Sequence, residues 1–171
     1  MKAPQWLTRL GIPEACISQK SSVQEKSRRF SIRPQLGDSV WCVKLDGCWI
    51  HGDTARRIDY LFWVKNAKSK GIILLIELKG KNFGDALEQI RQTLERLCKN
   101  AQDQGIHTGL HRQSPGHDPV EGRGVRAYVI LSRGGGVKQR LKDREYLRKK
   151  YGVRVVVYGQ ELVVNGVDRL P

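Results

Sequence analysis

The sequence predicts an α/β protein, and three stretches of it carry that prediction. Residues 72–76 form an apolar run rich in β-branched side chains and closed by glycine at both ends, which is typical of a buried central strand. Residues 56–64 form a second strand-like run that holds one acid, Asp59. Between residues 83 and 101, apolar side chains recur at intervals of three and four, which predicts a helix with one buried face.

Charged residues alternate with an apolar one at the C-terminal end of the central strand. Glu77, Leu78 and Lys79 alternate polar, apolar, polar, so strand geometry places Glu77 and Lys79 on one face and Leu78 on the other. A carboxylate and an ammonium group at the end of a buried strand are costly to desolvate unless they have partners or a function. We therefore expect a functional site at this point.

Size and charge narrow the classes of function. The chain has 171 residues, 39% of them hydrophobic, which predicts a single domain over residues 1–171. Its net charge of +14 favours a polyanionic partner, with nucleic acid ahead of an anionic membrane surface. No apolar run is long enough to span a membrane and no signal peptide is recognisable, so we expect a soluble cytoplasmic protein without a membrane partner. The four cysteines lack C-x-x-C spacing and are expected to be reduced structural thiols.

The N-terminal part is predicted as an arm, a helix and a hairpin. Residues 1–20 suggest a short helical or irregular arm packed by its apolar side chains. Ser22 and Glu25 have the spacing of a capping box, which predicts the start of a helix and makes Glu25 a cap. Alternating residues on both sides of Asp46 and Gly47 predict a β-hairpin.

The C-terminal part continues the alternation of strands and helices. The amphipathic helix begins near Asn82, residues 125–131 form another central strand, and residues 137–150 form a basic helix whose apolar side includes Val137, Leu141 and Leu147. Residues 153–164 are predicted as a closing strand or hairpin.

Asp59 on one strand and Glu77-x-Lys79 on the next, followed by a helix, resemble the PD-(D/E)xK phosphodiesterase superfamily of restriction enzymes, junction resolvases and RecB-like nucleases. Ile58 stands where the superfamily usually has proline. The resemblance implies a restriction-endonuclease-like core, a central mixed β-sheet flanked by helices (αβββαβ), over about residues 22–131. Residues 132–171 would add a C-terminal helix and strand elaboration.

The resemblance also implies a metal-dependent nuclease. Asp59, Glu77 and the backbone carbonyl of Leu78 would hold Mg²⁺ or Mn²⁺, for which oxygen ligands are suited. Lys79 would orient or deprotonate the attacking water, and Gln89 on the following helix would reach back towards the site. Glu25 is open to a second interpretation, as the additional acid that some relatives place on the first core helix.

The sequence offers four further candidates for functional residues. Gln92 is a second candidate for the glutamine, and Asp53 competes with Asp59 but lies in a predicted turn. Zinc ligation by Cys42, Cys48 and His51 fits no familiar zinc spacing, so a structural role is favoured. A Gly- and Pro-rich stretch, residues 102–124, is predicted to be a loop without fixed metal geometry. It contains three histidines, His107, His111 and His117.

The expected partner is nucleic acid, with DNA favoured over RNA. The proposed contacts are basic residues near the site and on the basic helix, namely Lys81, Arg56, Arg57, Lys138, Lys142, Arg148 and Lys149. A homodimer is one arrangement that the resemblance allows, since small relatives often cut two strands with two sites. The alternatives are a non-catalytic basic nucleic-acid-binding module on the same fold, or a ribonuclease.

Overall fold

A six-stranded β-sheet lies between a layer of helices and a second, three-stranded sheet. The computed structural model describes residues 3–50, 56–66, 71–79, 82–104, 124–131 and 141–165, and the architecture is that of these residues. None of the helices within these ranges is long and apolar enough to cross a membrane.

The helices and strands fall into three successive groups along the chain. The first group contains α1 (Gln5–Arg9), a 3₁₀ turn (Glu14–Cys16), β1 (Ile17–Ser18), β2 (Ser22–Glu25), β3 (Arg28–Arg33) and β4 (Ser39–Lys44). The central group contains β5 (Tyr60–Lys65), β6 (Ile72–Lys79), α2 (Phe83–Asp103) and β7 (Gly124–Leu131). The last group contains α3 (Leu141–Tyr151), β8 (Arg154–Gly159) and β9 (Glu161–Asn165).

The larger sheet is mixed and has the strand order β1-β4-β5-β6-β7-β8. Strands β1, β4, β5 and β6 pair antiparallel, whereas β6, β7 and β8 pair parallel. Strand β6, the predicted central strand, therefore joins the antiparallel and the parallel halves of the sheet. The prediction of an α/β protein with a mixed sheet flanked by helices is confirmed at this level.

The helices α1, α2 and α3 pack on one face of the larger sheet. The apolar stripe of α2 is buried as predicted, and it packs against the sheet together with Leu7 of α1 and Leu147 of α3. Asn82 caps α2, because its side chain accepts a hydrogen bond from the Asp85 N–H at 3.1 Å. Leu141 was expected on the buried side of the basic helix, but it is 65% exposed.

The other face of the larger sheet is covered by the small sheet, in which the strand order is β2-β3-β9. Phe30 of β3 fills the space between the two sheets, with its ring centroid 5.2 Å from that of Phe62 and 5.9 Å from that of Tyr128. The alternate residues Leu74, Ile76 and Leu78 of β6 face this second core.

The helix predicted from Ser22 is wrong, because residues 22–33 form the hairpin β2–β3. Val23 faces the core, while the Ser22 hydroxyl lies 3.0 Å from that of Ser31 across the strands. Lys26 has a positive φ of 53° in the connecting turn. The capping-box pattern covers only four residues, and the alternation needed for the sheet prevails over it.

The predicted hairpin at Asp46 and Gly47, and the hairpin offered as one alternative for residues 153–164, also differ from the structure. Gly47 has a φ of 70°, but residues 45–50 form turns with a single isolated bridge, and β4 pairs with β5 instead. Strands β8 and β9 do not pair with each other, because β8 joins β7 in the large sheet and β9 joins β3 in the small one. Both errors arise because local alternation does not specify the partner strand.

The cysteines divide into two classes. Cys16 and Cys48 form a disulfide with a Cα–Cα distance of 5.7 Å, so the prediction that all four are reduced thiols is wrong for this pair. Cys42 and Cys98 are buried free thiols, as expected. Cys48 is thus engaged with Cys16, and His51, the third residue considered for zinc, lies outside the described residues.

Candidate active site

Two carboxylates meet at the carboxyl end of β6. Glu77 lies near the end of that strand and is only 1% exposed. Asp59 directly precedes β5, one step beyond the paired residues Tyr60 and Ile76, and this position brings it next to Glu77. Asp59 is therefore not inside a strand, as predicted for residues 56–64, but at the entrance to one.

Reciprocal hydrogen bonds join the two acids to each other's backbone. The Asp59 N–H donates to Glu77 Oε2 at 3.2 Å, and the Leu78 N–H donates to Asp59 Oδ2 at 2.7 Å. Each carboxylate thus accepts a hydrogen bond from the chain segment that carries the other one, which fixes both side chains. Lys79 ends β6 with Leu131 as its neighbour in register, but its side chain lies outside the described part of the chain.

Side chains of α2 hold the segment that leads to Asp59. The Arg56 N–H donates to Gln92 Oε1 at 3.1 Å, and the Ile58 N–H donates to Thr93 Oγ1 at 3.1 Å. Thr93 is only 1% exposed, so its hydroxyl satisfies a backbone group away from water. Residues 56–58 are bonded to a helix instead of a neighbouring strand, which explains why β5 begins later than predicted.

Gln89 lies beside the same segment. Its Nε2 donates to the Arg57 carbonyl at 2.7 Å, which fixes the orientation of the amide. Its Oε1 is buried and has no hydrogen-bond partner among the described residues. The sequence predicted a role for Gln89 but none for Thr93. The two residues lie four positions apart on α2, so they share one side of the helix, and this spacing was the available signal for Thr93.

The loop after β4 supports Asp59 from a second side. The Leu45 N–H donates to the Asp59 carbonyl at 3.0 Å, and Arg57 Nε donates to Asp46 Oδ1 at 2.6 Å. The Arg57 side chain is 16% exposed and pairs with Asp46. Arg57 thus holds the loop through Asp46, and its contact with nucleic acid stays a prediction.

Glu25 lies on β2 and not on a helix, which removes the basis of its prediction as a helix cap or as an acid on a core helix. Its charge still acts on Tyr60, the residue that follows Asp59. Burial raises the pKa of Tyr60, and the negative charges of Asp59 and Glu25 raise it further. Both carboxylates therefore lie within electrostatic range of the Tyr60 hydroxyl.

The remaining predicted contacts are distributed over separate surfaces. Arg56 is exposed and forms an ion pair with Asp85 at 3.2 Å. The described residues of the basic helix, Lys142, Arg148 and Lys149, are exposed on α3. The predicted residues outside the described ranges are Lys81, Lys138, Asp53, His107, His111 and His117.

A basic depression runs beside Arg56 along the outer side of α2. It has a volume of about 610 Å³, and its charged lining consists of four cations, Arg56, Arg91, Arg96 and Lys99, and one anion, Glu95. The sequence alone does not indicate this surface, because the cations on α2 look like an ordinary solvated flank and Arg56 lies far from them in the chain.

The ligand chemistry at Asp59 and Glu77 fits a hard divalent cation, since carboxylate oxygens are the ligands that Mg²⁺ and Mn²⁺ prefer. Within the described ranges, no group of three or more His, Cys, Asp or Glu side chains comes together. Such a cation would therefore be held by two carboxylates, with backbone carbonyls, water and substrate oxygens completing its coordination.

Comparisons with models of known protein families, with curated proteins and with solved structures found no match for this chain. Function is therefore inferred from the residues at the carboxyl end of β6.

Proposed function

We propose that this protein is a divalent-metal-dependent nuclease that hydrolyses the DNA backbone with an activated water molecule. The observation that carries the proposal is the pair of reciprocal hydrogen bonds that fixes Asp59 and Glu77 side by side at the end of a buried strand. A divalent cation held by both carboxylates would supply positive charge where a phosphate group binds.

The order of elements supports a restriction-endonuclease-like core. Three antiparallel strands, β4, β5 and β6, are followed by α2 and then by β7, which is parallel to β6. This matches the βββαβ part of the expected αβββαβ arrangement. The short helix α1 (Gln5–Arg9) is the element that precedes these strands on the helical face.

The roles of the residues follow from their chemistry. Asp59 and Glu77, with the Leu78 carbonyl, would hold Mg²⁺ or Mn²⁺, which supplies charge neutralisation at the phosphate and lowers the pKa of a water. Gln89 Oε1 is an unsatisfied buried acceptor among the described residues and can orient the nucleophilic water. We assign Lys79 to the stabilisation of charge that develops on the phosphate in the transition state.

Charge supports nucleic acid as the substrate. The net charge of +14 and the basic depression beside Arg56 provide a surface that attracts a phosphate backbone. Arg56 links the two parts of the site, because its backbone is held by Gln92 near Asp59 while its side chain lines the depression.

The test is a digestion series with supercoiled plasmid, linear duplex, a four-way junction and RNA, each incubated with Mg²⁺, with Mn²⁺ and with chelator. We expect cleavage of DNA with a divalent cation, no cleavage with chelator, and loss of cleavage with retained DNA binding in Asp59→Ala. Asp103→Asn, an exposed position at the far end of α2, is the matched control and should cut normally.

Each alternative gives its own result. DNA binding without cleavage of any substrate would indicate a non-catalytic binding module. Cleavage of RNA alone would indicate a ribonuclease on the same scaffold. Cleavage that persists in Asp59→Ala would show that the site lies elsewhere.

A further inference from the structure

Arg28 is a buried charge that lacks a counter-ion in the described part of the chain. It is only 6% exposed, and its Nε is buried with no hydrogen-bond partner there. It lies on the same side of β3 as Phe30, which faces the larger sheet. Burying part of a guanidinium group without an anion costs free energy, so this arginine is suited to bind an anion from outside the protein.

The start of β3 lies near the carboxyl ends of β6 and β7, where the two carboxylates are also found. The Arg29 N–H donates to the Gln160 carbonyl at 2.9 Å, and the Gln160 N–H donates to the Leu131 carbonyl at 2.8 Å. Leu131 is the neighbour of Lys79 in the parallel register. Two consecutive hydrogen bonds therefore connect the residue after Arg28 to the end of β7, directly beside the end of β6.

The acid opposite Arg28 does not neutralise it. Glu25 is its cross-strand partner in the hairpin, but the Glu25 side chain is exposed and no ion pair joins the two. The charge of Glu25 acts instead on Tyr60, the first residue of β5. Arg28, Glu25 and Tyr60 thus border the carboxyl end of the sheet on the side opposite the helices.

We propose that Arg28 binds a backbone phosphate of the nucleic acid, adjacent to the phosphate that is cleaved at Asp59 and Glu77; this rests on the proposed nuclease function. The carboxylates lie towards the helical layer and Arg28 towards the small sheet. A nucleic-acid strand that runs across the carboxyl end of β6 therefore meets both. A guanidinium group matches phosphate oxygens with two parallel hydrogen bonds, and its buried position makes the attraction stronger than at an exposed site. Arg28 is thus a binding residue that positions the strand.

The first test measures DNA binding in chelator, where no cleavage occurs. A fluorescein-labelled duplex oligonucleotide is titrated with the wild type, with Arg28→Met and with Arg29→Met, and anisotropy is followed at several salt concentrations. We expect Arg28→Met to lose roughly tenfold in affinity and the slope of log K against log salt to fall by about one. Arg29→Met is the control, since Arg29 lies on the outer face of the small sheet and bonds the Ser22 and Ser31 hydroxyls.

The second test uses thermal unfolding and does not depend on catalysis. Because Arg28→Met removes an uncompensated buried charge, its Tm in chloride buffer should rise by roughly 2–5 °C. Inorganic phosphate, compared with chloride at equal ionic strength, should raise the Tm of the wild type and of Arg29→Met but not that of Arg28→Met.

The outcomes separate the two proposals. If the wild type cleaves nothing while Arg28→Met loses DNA affinity and its response to phosphate, the nuclease proposal fails and the phosphate site stands. If Arg28→Met lowers the Tm and leaves both the DNA affinity and the response to phosphate unchanged, Arg28 is a structural residue and the inference is wrong.

Discussion

Asp59 and Glu77 are fixed against each other, with the Asp59 N–H bonded to Glu77 Oε2 at 3.2 Å and the Glu77 carboxylate almost fully buried. The two hydrogen bonds hold both acids at the carboxyl end of β6, where a divalent cation would contact both of them. A cation that binds this pair stabilises the folded protein, because the unfolded chain does not hold the two acids together. The stability of the protein should therefore respond to divalent cations through this pair.

Glu77→Gln should abolish cation-dependent cleavage while leaving the fold intact. Glutamine keeps an oxygen that can accept the Asp59 N–H but removes the charge, so activity should fall by at least about 100-fold. Mn²⁺ should raise the Tm of the wild type and of Asp103→Asn, but not that of Glu77→Gln. Equal stabilisation of all three by Mn²⁺ would contradict a metal site at Glu77.

Thr93→Val should weaken both the fold and the site. Valine has nearly the shape of threonine but cannot accept the Ile58 N–H, which would be left unsatisfied in the interior. The free energy of unfolding should fall by about 1–3 kcal/mol in urea titrations, and kcat should fall as Asp59 loses its support. Thr93→Ser retains the hydroxyl and serves as the control. If valine and serine variants have the same kcat, the bond to Ile58 does not position Asp59.

The sequence predicted the parts of this site that depend on local pattern. The apolar run predicted the strand β6 that carries Glu77, and the apolar stripe predicted the helix α2 that carries Gln89. It did not predict which strands pair, because pairing depends on partners that are distant in the sequence. For the same reason it missed the hairpin that carries Arg28, where a capping-box spacing coincides with a strand.

Gly71→Ala should be strongly destabilising, because it affects the start of the strand that carries Glu77. Gly71 has a φ of 98°, and an added Cβ would clash with the indole ring of Trp63. Since both the backbone conformation and the space oppose a side chain, we expect a loss of more than about 2 kcal/mol in the free energy of unfolding. Gly159→Ala is the matched control, because nothing lies within 4 Å of its added Cβ. A Gly71→Ala variant as stable as the Gly159→Ala variant would show that the contact with Trp63 is not maintained in solution.

Reduction of the Cys16–Cys48 disulfide should destabilise the protein and lower its activity. The bond closes a loop with a sequence separation of 32 and ties the N-terminal arm to residues 45–50, where Leu45 bonds the Asp59 carbonyl. We expect the free energy of unfolding to fall by about 2–4 kcal/mol in dithiothreitol. The double variant Cys16→Ser with Cys48→Ser should show the same loss of stability, and dithiothreitol should not lower its stability further. If dithiothreitol destabilises the double variant as much as the wild type, this disulfide is not the cause.

The unfolding of the protein should depend on Glu88 in acid. Hydrogen bonds from Arg91 and Gln92 lower the pKa of Glu88 to about 2, so the carboxylate stabilises the fold above its ordinary pKa, and this contribution is lost as the pH falls towards 2. The side chain is partly exposed, so the contribution should be below about 1 kcal/mol. Between pH 6 and pH 3, urea titrations should show a smaller loss of stability for Glu88→Gln than for the wild type. Glu145→Gln is the control and should behave like the wild type, because the ion pairs of Glu145 on α3 are longer, at 3.7 and 3.8 Å. If the Glu88→Gln variant loses as much stability as the wild type between these pH values, its bond to Arg91 does not persist in solution.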